Sequence, residues 1–235
     1  MKYHESREWK RYLELLAERP EAFADGMLNI ITDEKLVDEF AEKTGKKPGV
    51  VYESPYHIMV VDLVCEKGEG CDEAKNAELG GCFTYERLLP AVPRGAVVAV
   101  PVFDGKFVLL RQFRHALREE ILCFPRGFGE AGIKPEENLK KELLEEIGTE
   151  KVENVRFLGE IAGDSGALGS KAKVFACNIS EPKFKPGYEG ISAVELFSEE
   201  ELKSLISAGG ITDGFTLAAY ALFLDFLAFF LRKSC

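Results

Sequence analysis

The sequence has little positive charge compared with its negative charge. Its 30 lysines and arginines face 40 aspartates and glutamates, which gives a formal net charge of -10 at pH 7. Nonspecific binding to a nucleic-acid backbone needs clustered cations. We therefore expect no nucleic-acid partner, whereas a single nucleotide carried with a divalent metal ion remains compatible with this charge.

Closely spaced cysteine pairs are also missing. The six cysteines are scattered irregularly, and the spacings of Cys65, Cys71 and Cys82 are unlike the short C-x-x-C pairs of zinc sites. The N-terminal stretch MKYHESREWK is polar and has no apolar signal core. These features predict a reduced, cytoplasmic protein without a zinc centre.

Two common catalytic signatures are absent as well. Ser165, in the stretch DSGALGS, lacks the G-x-S-x-G spacing of an elbow nucleophile. No dinucleotide fingerprint follows the apolar run that ends at Pro101. The sequence therefore favours neither a serine hydrolase nor a nicotinamide-dependent enzyme.

One long hydrophobic run stands near the C-terminus, at residues 215–231. It is slightly short for a membrane span and contains Asp225, whose burial in hydrocarbon would cost about 2.5 to 3.5 kcal/mol on insertion scales. We therefore predict a buried or dimer-contacting helix and no membrane partner. Membrane association through this helix is the alternative.

The chain reads as three regions. Residues 1–47 have helical patterns, and residues 48–92 hold strand-like runs at 50–64 and 82–92 on either side of a glycine-rich, charged loop. In residues 93–235 the hairpin signal Asp104-Gly105 joins two strands, a helix runs from Pro135 to Ile147, and further strands and two helices follow. This order predicts an α+β fold with a layered, mixed sheet.

The most informative segment contains three glutamates on the predicted helix. Glu142, Glu145 and Glu146 stand at positions i, i+3 and i+4, so their carboxylates project within one turn. Such crowding costs stability unless the face is solvated or a cation binds, and hard oxygen ligands suit Mg²⁺ or Mn²⁺. A solvated acidic face is the common explanation. Here a strand-like ILCF and an Arg-Gly turn lead into the same helix, which favours a ligand site.

This segment resembles the Nudix box, G-x5-E-x7-R-E-U-x-E-E-x-G-U, in which U is aliphatic. Six of nine fixed positions match, and these are Gly127, Glu142, Leu143, Glu145, Glu146 and Gly148. Three depart from the pattern, namely Ile133 for glutamate, Lys141 for arginine and Thr149 for an aliphatic residue. Lys141 can still pair with Glu145, and Glu130 is placed to substitute for the acceptor that Ile133 lacks.

The resemblance implies a Nudix-type α/β/α sandwich around a mixed sheet, with an N-terminal helical appendage and N-terminal strands. It also implies that divalent ions, Mg²⁺ or Mn²⁺, are held by the glutamates of the helix and by the main-chain carbonyl of Arg126. The corresponding metal set is Arg126, Glu142, Glu145 and Glu146. Glu145 and Glu146 are at the same time candidates for catalysis.

Beyond the box, residues 50–232 are similar to the ADP-ribose and nucleotide-sugar pyrophosphatase branch. The branch implies hydrolysis of a nucleoside diphosphate-linked small molecule to a nucleoside monophosphate and a sugar phosphate. It also implies a homodimer in which residues 48–92 pack over the partner. By this resemblance Arg111 and Arg114 are candidates to bind phosphate, and Tyr85 and Arg87 to reach the neighbouring subunit's nucleotide.

The general base is left open. In several relatives a loop after the box carries a catalytic glutamate, and Ser170 stands at roughly that position here. Asp164 is the nearest acid in that loop and is placed first, with Glu189 and the box glutamates as alternatives. Because of these departures, the second hypothesis is a Nudix-fold ligand-binding or regulatory module with weak or no catalysis.

Overall fold

The computed structural model describes residues 2–24, 26–66, 81–93, 95–184 and 187–233. The chain divides into two compact units. The N-terminal unit comprises residues 1–92 together with 164–169, and the C-terminal unit comprises 93–163 and 170–235.

The N-terminal unit combines two helices with a four-stranded antiparallel sheet. Its elements are α1 (Arg7–Glu18), β1 (Leu28–Ile30), α2 (Glu34–Thr44), β2 (Gly49–Glu53), β3 (His57–Glu66) and β4 (Cys82–Pro90). Strand β3 pairs with β4 along one side and with β2 and β1 along the other. The prediction of one strand over 50–64 is wrong, because the chain reverses between β2 and β3. In this reversal the Ser54 hydroxyl accepts hydrogen bonds from the amides of Tyr56 and His57.

The cysteines also differ from the expectation. Cys65 and Cys82 lie opposite each other on β3 and β4, with Cα atoms 4.4 Å apart, and are joined by a disulfide. The prediction of reduced cysteines is therefore wrong for this pair, because strand register brings together two residues whose sequence spacing gives no sign of it. Cys71 and most of the glycine-rich loop predicted before β4 lie outside the described residues.

A buried polar network fixes α1 against this sheet. The Tyr12 hydroxyl donates to Asp62 at 2.5 Å, and the Arg87 guanidinium donates to both oxygens of the same carboxylate at 2.5 and 3.1 Å. Asp62 is only 2% exposed. Arg87 also donates to the carbonyl of Ala22 and lies over the ring of Phe23. The network joins the helical appendage to β3 and β4.

This network gives a prediction about stability. Replacing Arg87 with Met leaves the buried Asp62 carboxylate without its cation, which should lower the free energy of unfolding by about 3 kcal/mol. The double variant R87M/D62N should regain part of this loss because it removes the unpaired charge. Urea denaturation measures both. A cost below about 1 kcal/mol for R87M would show that the pair is not a structural anchor.

The C-terminal unit is built on a seven-stranded mixed sheet. Its elements are β5 (Ala96–Phe103), β6 (Lys106–Arg114), β7 (Glu119–Cys123), β8 (Arg126–Phe128), α3 (Pro135–Ile147), β9 (Val152–Ile161), β10 (Ala172–Ile179), β11 (Ile191–Phe197), α4 (Glu199–Ser207) and α5 (Gly214–Lys233). The sheet order is β11-β6-β5-β10-β9, with β7 beside β6 and β8 beside β5. Strands β5 and β10 run parallel, and the other pairs are antiparallel.

Local sequence explains several of these boundaries. Asp104 and Gly105 have φ of 49° and 71°, as a tight hairpin turn requires, and they join β5 to β6 as predicted. Ser198 caps α4 by accepting from the amide of Glu201, whose side chain accepts in return from the Ser198 amide. The short strand β8 is not predicted, because the glycine-rich sequence around it indicates only a turn.

Alternate residues of the central strands point to opposite faces of this sheet. Val97 and Ala99 pack with Leu139 and Leu143 of α3, whereas Val98 and Val100 belong to the core that includes α4 and α5. The α/β/α sandwich around a mixed sheet is therefore confirmed. Among the described residues, no helix is both long and apolar enough to cross a membrane.

Candidate functional site

The three predicted glutamates lie on α3 and differ in how far their side chains are buried. Leu139, Leu143 and Ile147 are fully buried and fix the rotation of the helix on the sheet. As a result Glu146 is 2% exposed, Glu142 is half-buried and Glu145 is exposed. The three carboxylates therefore range from solvent-exposed to buried, and they do not form a single solvated acidic face.

The backbone of β8 contacts the two deeper carboxylates. The amide of Arg126 donates to Glu146 Oε2 at 3.1 Å. A Cβ atom placed on Gly127 would overlap the carboxylate of Glu142, so this carboxylate occupies the space that a side chain would fill. The glycine is required here by close approach.

Burial and mutual repulsion disfavour charge on these groups. The pKa of Glu146 is raised to about 8, chiefly by burial and then by Glu142, while the amide of Arg126 opposes the shift. The pKa of Glu142 is raised to about 7, chiefly by burial and then by Glu145 and Glu189. A cation placed between the carboxylates would relieve both effects.

The turn before β11 brings two more groups to this place. The Tyr188 hydroxyl lies 3.5 Å from Glu145 Oε2. The charge of Glu189 contributes to the raised pKa values of both Glu142 and Glu146. The sequence offers Glu189 as one alternative for the base, whereas it does not predict a role for Tyr188, since a lone tyrosine in a loop carries no sequence signal.

Of the two arginines predicted to bind phosphate, Arg114 acts electrostatically on the deepest carboxylate. Its charge lowers the pKa of Glu146. Its Nη2 lies 3.4 Å from Cys123 Sγ, and within the described part of the chain its buried Nε has no hydrogen-bond partner. Arg111 instead donates through Nε to Glu195 on the adjacent strand, at 2.5 Å.

The side chain of Arg126 has a separate role. Its Nη1 lies 3.0 Å from Asp213 Oδ1, and its guanidinium stacks over the ring of Phe215 at 4.4 Å. Asp213 also accepts from the amide and hydroxyl of Thr216, whose hydroxyl oxygen accepts from the amide of Phe124. These contacts join the start of α5 to the chain that enters β8.

The remaining predicted site residues lie in the N-terminal unit. The Tyr85 hydroxyl donates to the carbonyl of Gly166 at 2.7 Å, and Arg87 is held by Asp62. Asp164 accepts from the amide of Gly166 at 2.9 Å, so it stabilises its own turn. None of these contacts involves α3.

Side chains nearby compensate for the departures from the Nudix pattern. Lys141 forms an ion pair with Glu130 and lies 3.8 Å from Glu145. Asn138 Nδ2 donates to the carbonyl of Phe128 at 3.1 Å, which ties the loop after β8 to α3. The buried hydroxyl of Thr149 lies 2.9 Å from that of Ser180.

The donor set fits a hard divalent cation. Across the described residues, no three His, Cys, Asp or Glu side chains already converge as a complete metal-binding group. The carboxylates of Glu142 and Glu146, the glycine that makes room for one of them and the local excess of negative charge nevertheless suit a hard divalent cation.

The raised pKa values predict how stability depends on pH in metal-free protein. A glutamate whose pKa is higher in the folded state contributes stability that is complete below its unfolded pKa and is lost as pH rises through the folded pKa. The free energy of unfolding should therefore fall as pH rises from about 4.5 to about 8, the window set by the Glu142 and Glu146 values. Thermal melts in EDTA across this range measure the fall.

The control for this prediction is a pair of variants. Glu146→Gln should flatten the pH dependence, whereas Glu150→Gln, at an exposed glutamate just beyond the helix, should leave it unchanged. A wild-type slope equal to that of Glu146→Gln would contradict the assignment.

The close approach of Gly127 to Glu142 predicts a loss of metal binding on substitution. Gly127→Ala should displace the Glu142 carboxylate and weaken Mn²⁺ binding by about tenfold to a hundredfold, with the circular dichroism spectrum retained. Gly214→Ala is the matched control because a Cβ there meets open space. Titration calorimetry with Mn²⁺ compares them, and equal affinities would rule out the proposed contact.

Comparisons with known proteins identify the fold and the family. A search of curated protein sequences finds no match. A crystal structure described as an ADP compounds hydrolase superposes with a TM-score of 0.60 at 19% sequence identity, over 78% of this chain and 95% of that chain, which shows a shared fold. The family model for the NUDIX domain matches residues 92–213. Since this match covers more than half of the sequence and contains β8 and α3, the chain belongs to the Nudix family.

Proposed function

We propose that the protein hydrolyses the pyrophosphate bond of ADP-ribose or a related nucleoside diphosphate sugar in a reaction that depends on Mg²⁺ or Mn²⁺. The products are a nucleoside monophosphate and a sugar phosphate. The observation that carries the proposal is a pair of mutually repelling carboxylates, the buried Glu146 and the half-buried Glu142, held against the backbone of β8. The ADP compounds hydrolase with the same fold supports an ADP-linked substrate.

In this proposal Glu142, Glu145, Glu146 and the carbonyl of Arg126 would hold the metal. A bound divalent ion would neutralise pyrophosphate charge and lower the pKa of a water molecule. The chain's own contribution is to keep Glu146 oriented through the Arg126 amide and to keep Glu142 in the space left by Gly127. Because these carboxylates are already in place, the site does not have to reorganise during the reaction.

Glu189 is the better candidate for the general base. Its charge acts on Glu142 and Glu146, so it lies within electrostatic range of the groups that would hold the metal. The carboxylate of Asp164 is already engaged by the amide of Gly166 in its own turn. A base must reach the proton that it removes. We therefore place Glu189 before Asp164, which was first on sequence grounds.

Arg114 is the stronger candidate for binding phosphate. Its buried Nε lacks a hydrogen-bond partner within the described residues, and a phosphate oxygen would supply one. Arg111 is already paired with Glu195. Arg87 would have to leave Asp62 to contact a nucleotide, so of the two residues proposed to reach a partner's nucleotide in a homodimer, Tyr85 is favoured.

Exchange of single carboxylates tests the proposal. With ADP-ribose and Mg²⁺, Glu146→Gln should lower kcat by at least about a hundredfold because it removes a buried ligand of the metal. Glu189→Gln should lower kcat by about a hundredfold through loss of the base, whereas Asp164→Asn should retain most of it. Release of AMP, followed by mass spectrometry, measures all three variants.

Two outcomes would count against this assignment. Full activity of Glu146→Gln would discard the metal-dependent mechanism. A loss in Asp164→Asn with none in Glu189→Gln would return the base to Asp164.

The second candidate function is a Nudix-fold module that binds a nucleotide ligand but hydrolyses it slowly. Ile133 and Lys141, at positions where the box has glutamate and arginine, motivate it. The pairing of Lys141 with Glu130 restores a charged contact at this loop and favours the enzyme. Binding of ADP-ribose without turnover in either metal would favour the module.

A further inference from the structure

Gln112 is a buried polar residue without an assigned role. It lies on β6 between Arg111 and Phe113 and is only 3% exposed. Two positions earlier on the strand, Leu110 belongs to the core formed with α3, so alternation along the strand places Gln112 on the same face of the sheet. A buried amide is expected to have its hydrogen bonds satisfied by specific partners.

Both ends of the Gln112 amide have such partners. Nε2 donates to the main-chain carbonyl of Glu189 at 3.0 Å, and Oε1 accepts from Cys123 Sγ at 3.7 Å. A carbonyl can only accept, so the bond to Glu189 requires the amide nitrogen at that end. The orientation of the Gln112 side chain is therefore determined by its surroundings.

The turn that Gln112 contacts has an unfavourable backbone at Glu189. This residue has φ of 44°, in the left-handed region, and Gly190 follows with φ of 76°. This conformation is strained for a residue with a side chain and persists only where the surroundings enforce it. The turn is otherwise held by the amide of Phe113, which donates to the carbonyl of Gly190 at 2.9 Å, and by the amide of Ile191, which donates to the carbonyl of Tyr188 at 2.8 Å.

We propose that Gln112 is a positioning residue that holds the Glu189 backbone in its left-handed conformation, so that the Glu189 carboxylate faces the glutamates of α3. This inference rests on the proposed function, in which Glu189 is the base. It also gives a reason for a polar side chain between two flanking residues whose side chains are more exposed. A hydrophobic residue of the same length would fill the space but could not hold the turn.

A double-variant cycle on the full chain tests the proposal. Gln112→Met removes the donor and keeps the length of the side chain. It should lower kcat for ADP-ribose by about tenfold to a hundredfold while KM stays within about twofold. In the Glu189→Gln background the same change should cost nothing further, because the carboxylate that Gln112 positions is already absent.

A core variant provides the matched control. Val108→Ala removes buried volume from the same face of β6, four residues away, and leaves the hydrogen bond between Gln112 and Glu189 in place. Any effect of this variant on kcat should multiply with that of Glu189→Gln. If the effect of Gln112→Met also multiplies, or if Gln112→Met leaves kcat unchanged, Gln112 is an ordinary core residue and the proposal is overturned.

Hydrogen exchange provides a readout that does not need activity. The amide of Ile191 should exchange faster in Gln112→Met than in the wild type, and equal rates would overturn the proposal. The two proposals fail differently. If Glu146→Gln loses activity and Glu189→Gln does not, the proposed hydrolase stands and the role of Gln112 is rejected. If the wild type is inactive on every nucleotide sugar, the hydrolase is rejected, and hydrogen exchange at Ile191 still tests whether Gln112 holds the turn.

Discussion

The contact between β8 and α3 is the constraint on which the site depends. A three-residue strand brings one amide to the buried Glu146 and one glycine to the half-buried Glu142, so both carboxylates lie largely away from water. Neither would be stable there as an isolated anion. The sheet and α3 bury enough apolar surface to offset this cost, and the mutual repulsion of the carboxylates is what a bound cation would relieve.

Much of the C-terminal unit was predictable because its signals are local. Pro135 and Gly148 bound α3 at the predicted residues, and Asp104-Gly105 marks the hairpin. The function class came from the resemblance of residues 127–148 to the Nudix box, since composition and periodicity alone leave a solvated acidic helix face open. The family match then confirmed that resemblance.

What the sequence did not reveal depends on pairing between distant segments. Strand β8 exists because β5 supplies its hydrogen bonds, and the disulfide exists because β3 and β4 pair in a register that places Cys65 opposite Cys82. The contact of Tyr188 with Glu145 likewise depends on where the turn before β11 comes to lie. The sequence predicts the pairing of Lys141 with Glu145. Its additional ion pair with Glu130 fixes the loop before α3, although lysine stands where the Nudix box has arginine.

The parallel pairing at the centre of the large sheet has a consequence for biosynthesis. Strand β5 lies between β6 and β10. Ala96 of β5 pairs with Ala172 of β10, which is far from it along the chain. Closing so large a loop is entropically slow, and contacts of this kind form late in folding. A nascent chain still lacking β10 would expose one edge of β5 at the ribosome, so the C-terminal unit can complete its core only after residues 172–179 have been synthesised.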